Sequence, residues 1–289
     1  MIAAGRRTGR TRARPRVGRA CMLLSVLGAA CATRAPAPAR PVPTGELTYD
    51  EGGIIRGSRD RPHIALIFTG GEFAEGAGSI LDVLRERQVS ASFFVTGQFI
   101  RTPEFQVHLR RIVKDGHYLG PHSDEHLLYA SWADRAETLI GEARFRDDLE
   151  RNLADLAQYG RTRSEMRFFI PPYEWYNRQI VDWADRMGLV LFNYTPGTRS
   201  NADYMPDAHP RFISSLDIYE SILEYETTDP DGLNGFLLLL HVGAGPGRTD
   251  KMHPLLGPLI GELKRRGYSF VRVDEMLASA VGSGRATSR

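Results

Sequence analysis

"GHYLGPHSDEHLLY", residues 116–129, decides how the rest of the chain reads. Gly116 closes a helical pattern, "HYLG" has the look of a short strand, and the polar run after it carries His122 and His126. On a helix, imidazoles at i and i+4 share one face, close enough to hold one ion. The spacing by itself leaves two readings open, a metal-binding pair or a solvated turn. The surroundings have to choose between them.

Working outward, short apolar runs alternate with longer amphipathic ones. Strands are expected at 64–68, 91–95, 118–120, 168–170, 190–194, 236–240 and 269–273. Helical patterns separate most of them: "SILDVLRERQV", "PEFQVHLRRIVKDG" with Pro103 at its start, Trp132 to Tyr159, "NRQIVDWADRMG", Ile218 to Tyr225, and "PLLGPLIGELKRRG". Such alternation implies parallel strands covered by helices, either a barrel or an open α/β sheet. In parallel barrels the chemistry gathers at the C-terminal ends of the strands. Here those ends read "TGGE" (69–72), "PHSDEH" (121–126), "PPYEWYN" (171–177), "TPGTRSNAD" (195–203) and "HVG" (241–243). All are polar, and they are expected to converge on one mouth.

The chain has 289 residues, 42% of them hydrophobic, and a formal net charge of +2. The basic excess sits in the leader, from Arg6 to Arg19, so the remainder is mildly acidic. That balance argues against a nucleic-acid-binding surface. The apolar run "ACMLLSVLGAAC" (20–31) is too short to span a bilayer and follows a basic stretch, as in an export signal. Residues 1–31 are read as a signal peptide. Cleavage before Cys31 would make the chain a lipoprotein, with a plain secretory signal as the alternative. Residues 32–59 are read as a Pro/Ala-rich tether and N-terminal extension, 60–280 as the catalytic domain and 281–289 as a disordered tail. Both cysteines, Cys21 and Cys31, fall in the leader, so the mature domain holds no disulfide.

"SASFFVTG", "RRIVKDGHYLGPHSDEH", "PPY", "LLLLH" and "RRGYSFVRVDEML" together resemble the polysaccharide deacetylase family, the NodB-type domain of carbohydrate esterase family 4. The resemblance covers roughly residues 62–277 and implies a single-domain, distorted (β/α)7 barrel. It also implies a divalent metal, with Zn2+ as the expected ion, held by His122 and His126, with His241 as general acid. Tyr173 would offer its backbone N–H to the oxyanion. The first motif departs from the family: where T-F-D-D-G is usual, the chain reads "IFTGG", so Thr69 replaces the base and Gly70 the metal-binding carboxylate. Ile170 replaces an arginine, and the fourth motif reads "NYTPGTRSNAD".

Two carboxylates near these positions are candidate replacements. Glu72 is assigned as third metal ligand and Glu174 as base, although the opposite assignment is nearly as good. Trp175, Tyr176 and Arg199 are assigned to substrate binding. The expected activity is metal-dependent removal of acetyl groups from an exported glycan: peptidoglycan, chitin-like or acetylated hemicellulose. The alternative is a glycan-binding pseudoenzyme. The expected partner is an acetylated polysaccharide, with membrane contact only through an N-terminal lipid anchor. Bland readings compete at each position: Glu174 as the cap of the helix near Asn177, His241 as a satisfied strand-end histidine, the aromatics as core. A facial triad of His122, Asp124 and His241 is disfavoured because such sites sit on antiparallel barrels. His63, His108, His117, His209 and His253 lack partners at useful spacing.

Overall fold

The computed structural model describes residues 46–279. The expected signal peptide, the lipidation at Cys31 and the tail at 281–289 lie outside the described residues. A hairpin of β1 (Thr48–Asp50) and β2 (Gly53–Arg56) comes first, inside the stretch read as tether. Ile54 and Arg56 are both buried, so the folded part begins before residue 60.

Seven strands follow close to their expected positions: β3 (His63–Gly70), β4 (Ser92–Val95), β5 (Tyr118–Pro121), β6 (Phe168–Phe169), β7 (Val190–Leu191), β8 (Phe236–His241) and β9 (Ser269–Phe270). All their pairings are parallel, in the order β5-β4-β3-β8 with β9 on the first residues of β3, and β6 beside β7. Three links connect the ladders into a distorted (β/α)7 barrel. Phe168 N–H donates to Tyr118 Oη at 3.0 Å, Phe192 bridges Ile54, and Thr195 N–H donates to Leu237 O at 3.0 Å.

Strand side chains alternate between two buried clusters, as the period of two requires. Ala65, Ile67, Phe94, Tyr118, Phe168, Ile170, Phe192, Leu237 and Leu239 fill the lumen, with Val273, Met276 and Leu277 in the same cluster. Phe94 meets Phe192 at 5.0 Å between ring centroids, and Tyr118 at 5.4 Å. The other parity, including Leu66, Phe68, Phe93, Leu119 and Leu238, packs under the helices. These helices are α1 (Ala77–Glu86), the short α2 (Gly97–Arg101), α3 (Gln106–Lys114), α4 (Glu142–Ala157), α5 (Arg178–Arg186), α6 (Ser215–Thr228), α7 (Leu256–Arg265) and the single turn α8 (Val273–Met276). Each fully buried Leu, Ile or Phe contributes about 1.5–3 kcal/mol, which is why these apolar runs were so readable.

The helix expected over Trp132 to Tyr159 is shorter, since α4 begins only at Glu142. Residues 131–138 fold as a turn instead. The Ser131 hydroxyl accepts from Ala133 N–H at 3.2 Å, Asp134 Oδ1 accepts from Ala136 N–H at 3.0 Å, and Asn177 Nδ2 donates to Arg135 O and Thr138 Oγ1. Side chains that bind nearby backbone groups compete with the helix, and here they win.

Candidate active site

The histidine stretch is not helical. Beyond β5 the chain turns sharply, with Ser123 at φ 73° and His126 at φ 55°. Asp148 and Asn152, one turn apart on α4, hold that shape. Asp148 accepts from Ser123 Oγ (2.7 Å), Asp124 N–H (3.1 Å), Glu125 N–H (2.9 Å) and Tyr129 Oη (3.2 Å). Asn152 accepts from His122 N–H at 3.0 Å and donates to Val95 O at 3.1 Å. The two rings still meet, 5.1 Å apart between centroids. His122 Nδ1 lies 2.9 Å from Ile170 O; a carbonyl can only accept, so Nδ1 carries the proton and Nε2 keeps its lone pair. Burial, then neighbouring imidazoles, holds His122 well below its usual pKa and His126 at about 4. Both rings are neutral at pH 7.

Across the mouth, His241 ends β8. Its Nδ1 donates to Asp203 Oδ1 at 2.6 Å, and its backbone N–H donates to Asp203 Oδ2 at 2.9 Å. Burial opposes the imidazolium, but the Asp203 charge and hydrogen bond outweigh it, with help from Glu174, and raise the pKa. Glu174 follows Tyr173 in the turn after β6, at φ 54° and 59° respectively. Burial pushes Glu174 up to about 7, against the pull of His241 and with a push from Asp203. His241 also acts on His122 and His126. One mouth therefore holds two neutral imidazoles, an imidazole favoured as its cation, and a carboxyl poised near neutrality. Asn177, not Glu174, caps α5, accepting from Ile180 N–H at 3.2 Å. The capping reading of Glu174 is removed.

Residues 56–192 match the family model for polysaccharide deacetylase. Those residues, a little under half of the chain, form a polysaccharide deacetylase domain. A peptidoglycan-N-acetylglucosamine deacetylase of Bacillus cereus is 26% identical, over 81% of this chain and 94% of that one. YlxY of Bacillus subtilis is also 26% identical, over 78% of this chain but only 60% of its own length. Among solved structures, PdaA of B. subtilis, a family 4 carbohydrate esterase, superposes with a TM-score of 0.63 at 20% identity, covering 80% of this chain and 86% of PdaA. A CE4 family pseudoenzyme from Bacillus anthracis superposes at 0.59 and 19% identity, covering 79% and 70%.

Within this deacetylase framework several assignments change. Glu72 is exposed, in the bend where the chain leaves β3, and among the described residues no third His, Cys, Asp or Glu gathers with both His122 and His126 within 4.8 Å. The structure does not bring Glu72 together with the two histidines. Position 70 is a glycine and offers no carboxylate; a Cβ there would lie 3.0 Å from the Phe99 ring and 3.2 Å from Val95 Cγ1, so both would have to give by a few tenths of an ångström. Tyr176 is fully buried and donates to Asp50 O at 3.0 Å, so it belongs to the core. Arg199 is exposed and makes no side-chain hydrogen bond or ion pair among the described residues, so nothing ties it to the mouth. Trp175 donates to Ser131 O at 3.1 Å and stacks on Trp132 at 5.1 Å. Trp132, 60% exposed, also meets Tyr173, 47% exposed, whose ring lies 4.5 Å from His126. Trp132 was hidden by the wrong helix expectation.

Asp124, Glu125 and Asp148 do lie within 4.8 Å of one another, but their oxygens are committed. Asp124 pairs with Arg101 at 2.5 Å and Arg151 at 3.0 Å, Glu125 with Arg144 and Arg151, and Asp148 with the four donors above. This cluster anchors the histidine loop and leaves no cation site. A groove of about 570 Å³ lined by Phe73, Phe105, His108 and Lys251 contains none of the mouth residues. Asp203 was missed as an individual residue, although it closes the loop expected to carry the family's acidic fourth motif.

Proposed function

We propose that the protein is a hydrolase that removes acetyl groups from a glycan outside the cytoplasm, with the N-acetylglucosamine units of peptidoglycan as its substrate. The support for the substrate is that the B. cereus relative, and a Listeria monocytogenes relative at 24% identity, are peptidoglycan-N-acetylglucosamine deacetylases. The observation that carries the reaction is geometric: His241 is clamped by Asp203 at 2.6 Å at the end of β8, and the His122 and His126 rings meet at 5.1 Å with His122 Nδ1 held by Ile170 O. The histidine pair fits a divalent cation such as Zn2+: both rings are neutral, and the Ile170 carbonyl fixes the tautomer that leaves Nε2 free. When bound, such a cation would polarise the acyl oxygen and acidify water.

The chain's own groups do the rest. Glu174 takes the proton of the attacking water, and its pKa near 7 suits that task at neutral pH. His241, whose pKa the Asp203 carboxylate raises, donates from Nε2 to the leaving nitrogen or oxygen. Tyr173 offers its backbone N–H to the developing oxyanion. The aromatic ledge of Trp132 and Tyr173 gives the apolar face of a pyranose a surface beside His126.

An acetate-release assay on peptidoglycan, chitin oligomers and acetylated xylan tests this reading. Release by the wild type, lost in His241→Ala and accompanied by loss of bound metal in His122→Ala, is expected. A wild-type protein that binds glycan and releases no acetate from any of the three supports the second reading, a glycan-binding pseudoenzyme. That reading is favoured by the missing third ligand and by Thr69 and Gly70 in place of carboxylates.

A further inference from the structure

Thr69 ends the lumen-facing row of β3, one residue before the strand's last glycine. β3 and β8 pair in parallel register, with Ala65 opposite Leu237, Ile67 opposite Leu239 and Thr69 opposite His241. Paired residues of neighbouring strands project from the same face, and the first two pairs fill the lumen. Thr69 is therefore the next lumen-facing residue of β3, at the rim beside His241. Only 2% of it is exposed, and its Oγ1 is buried without a hydrogen-bond partner among the described residues. The comparable hydroxyl after β4, Thr96 Oγ1, is already used by Phe99 N–H at 3.2 Å. An unpartnered hydroxyl in a closed site is uncommon, because leaving it unmade costs stability that a valine would not.

Resting on the deacetylase reading, we propose that Thr69 Oγ1 is the positioning group for the oxygen that attacks the acetyl carbon. A hydroxyl rotates, so it accepts a hydrogen bond from the water before attack and donates one to the same oxygen in the product acetate. In the step, the water oxygen bonds to the acetyl carbon while the bond from that carbon to the glycan nitrogen or oxygen breaks. The water proton goes to Glu174, and the leaving atom receives the His241 Nε2 proton. Thr69 neither gains nor loses a proton. It orients the water, and Glu174 supplies the basicity that a threonine lacks.

The test uses the full chain loaded with Zn2+ and compares Thr69→Val, nearly isosteric, with Thr69→Ser. Two quantities are read: acetate release, and the affinity for free acetate by calorimetry. Thr69→Val is expected to lower kcat by about 10–100-fold with little change in KM, and to weaken acetate by a similar factor, the size of one hydrogen bond to a charged oxygen. Its melting temperature stays at or above the wild type. Thr69→Ser keeps both quantities within about threefold. Thr69→Ala carries the same expectation as valine should the valine variant not fold. A valine variant with wild-type turnover and acetate affinity overturns the proposal while leaving the deacetylase reading intact. A wild type that releases no acetate, yet binds it less tightly as the valine variant, overturns the reaction and keeps Thr69 as an acyl-oxygen contact.

Discussion

Glu174 occupies a backbone conformation that L-residues avoid, next to Tyr173 in the same region. A left-handed non-glycine residue costs about 1–3 kcal/mol and persists where the surroundings dictate it. The Glu174 carboxyl adds a second cost. Its pKa is raised from 4.5 to about 7, so the folded state binds a proton more tightly than the unfolded state does. Its contribution is unfavourable above the unfolded value and grows as pH rises from about 4.5 to about 7. In the metal-free protein, Glu174→Gln is therefore expected to be stabilising by up to about 3 kcal/mol at pH 8 and by almost nothing at pH 4.5, read from thermal melts at both values. The same substitution removes the base. Equal stability differences at the two pH values would mean that Glu174 is not buried in the way described. At this scale the sequence showed residue types whose chemistry is intrinsic: the two histidines, His241 and Glu174. It hid Asp203, whose role depends on a contact across 38 positions, and it did not show that Glu72 lies in the exposed bend after β3.

Among the elements, α4 and the loop after β8 support the site from behind, α4 through the histidine loop and the loop after β8 through Arg248. Asp148 is fully buried and receives four hydrogen bonds that fix the histidine loop. Asp148→Asn puts an N–H2 where acceptors are needed, with an expected loss of about 2–4 kcal/mol by denaturant unfolding. It is also expected to weaken Zn2+ binding at His122 and His126 by about 10–100-fold, as supporting-shell changes do. Unchanged Zn2+ affinity would show that the loop holds its shape without α4. Arg248 does the equivalent work for Asp203. It is fully buried and donates to Met205 O at 3.0 Å, Ile213 O at 2.9 Å and Asp250 O at 2.6 Å, tying down the chain just past Asp203. Arg248→Met is expected to destabilise the fold by about 3 kcal/mol, because Met205 O and Ile213 O lose the guanidinium donor and Asp250 O is left with the Ser215 hydroxyl. Helices with clean apolar faces were legible from their periodicity. The turn at 131–138 was not, because it depends on hydrogen bonds from Asn177, some forty residues away.

The whole molecule is a barrel whose alternating side chains separate a lumen from a helical layer. The parallel order followed from the alternation of apolar runs, but the closure did not, since side chains rather than ladders make part of it. Thr195 Oγ1 donates to Ile55 O at 2.6 Å and accepts from Leu237 N–H at 3.0 Å, joining the hairpin, the end of β7 and β8. Thr195→Val leaves both backbone groups unpaired and is expected to cost about 2–3 kcal/mol in denaturant unfolding. A loss below about 0.5 kcal/mol would mean that the seam closes by packing alone. Closure matters because it brings the ends of β3, β5, β6 and β8 around one opening, where residues 174 and 241 act on each other although 67 positions apart in the chain.

The measurement that bears most directly on this arrangement is acetate release from acetylated glycan by Zn2+-loaded wild type, Glu174→Gln and Glu72→Gln, with metal content determined for each. Glu174→Gln is expected to keep its metal and lose about 10²–10⁴-fold in turnover, the usual range for a general base, while Glu72→Gln behaves as wild type. A Glu174→Gln variant with undiminished turnover, or a Glu72→Gln variant that has lost its metal, would contradict the assignment of base and ligands made here.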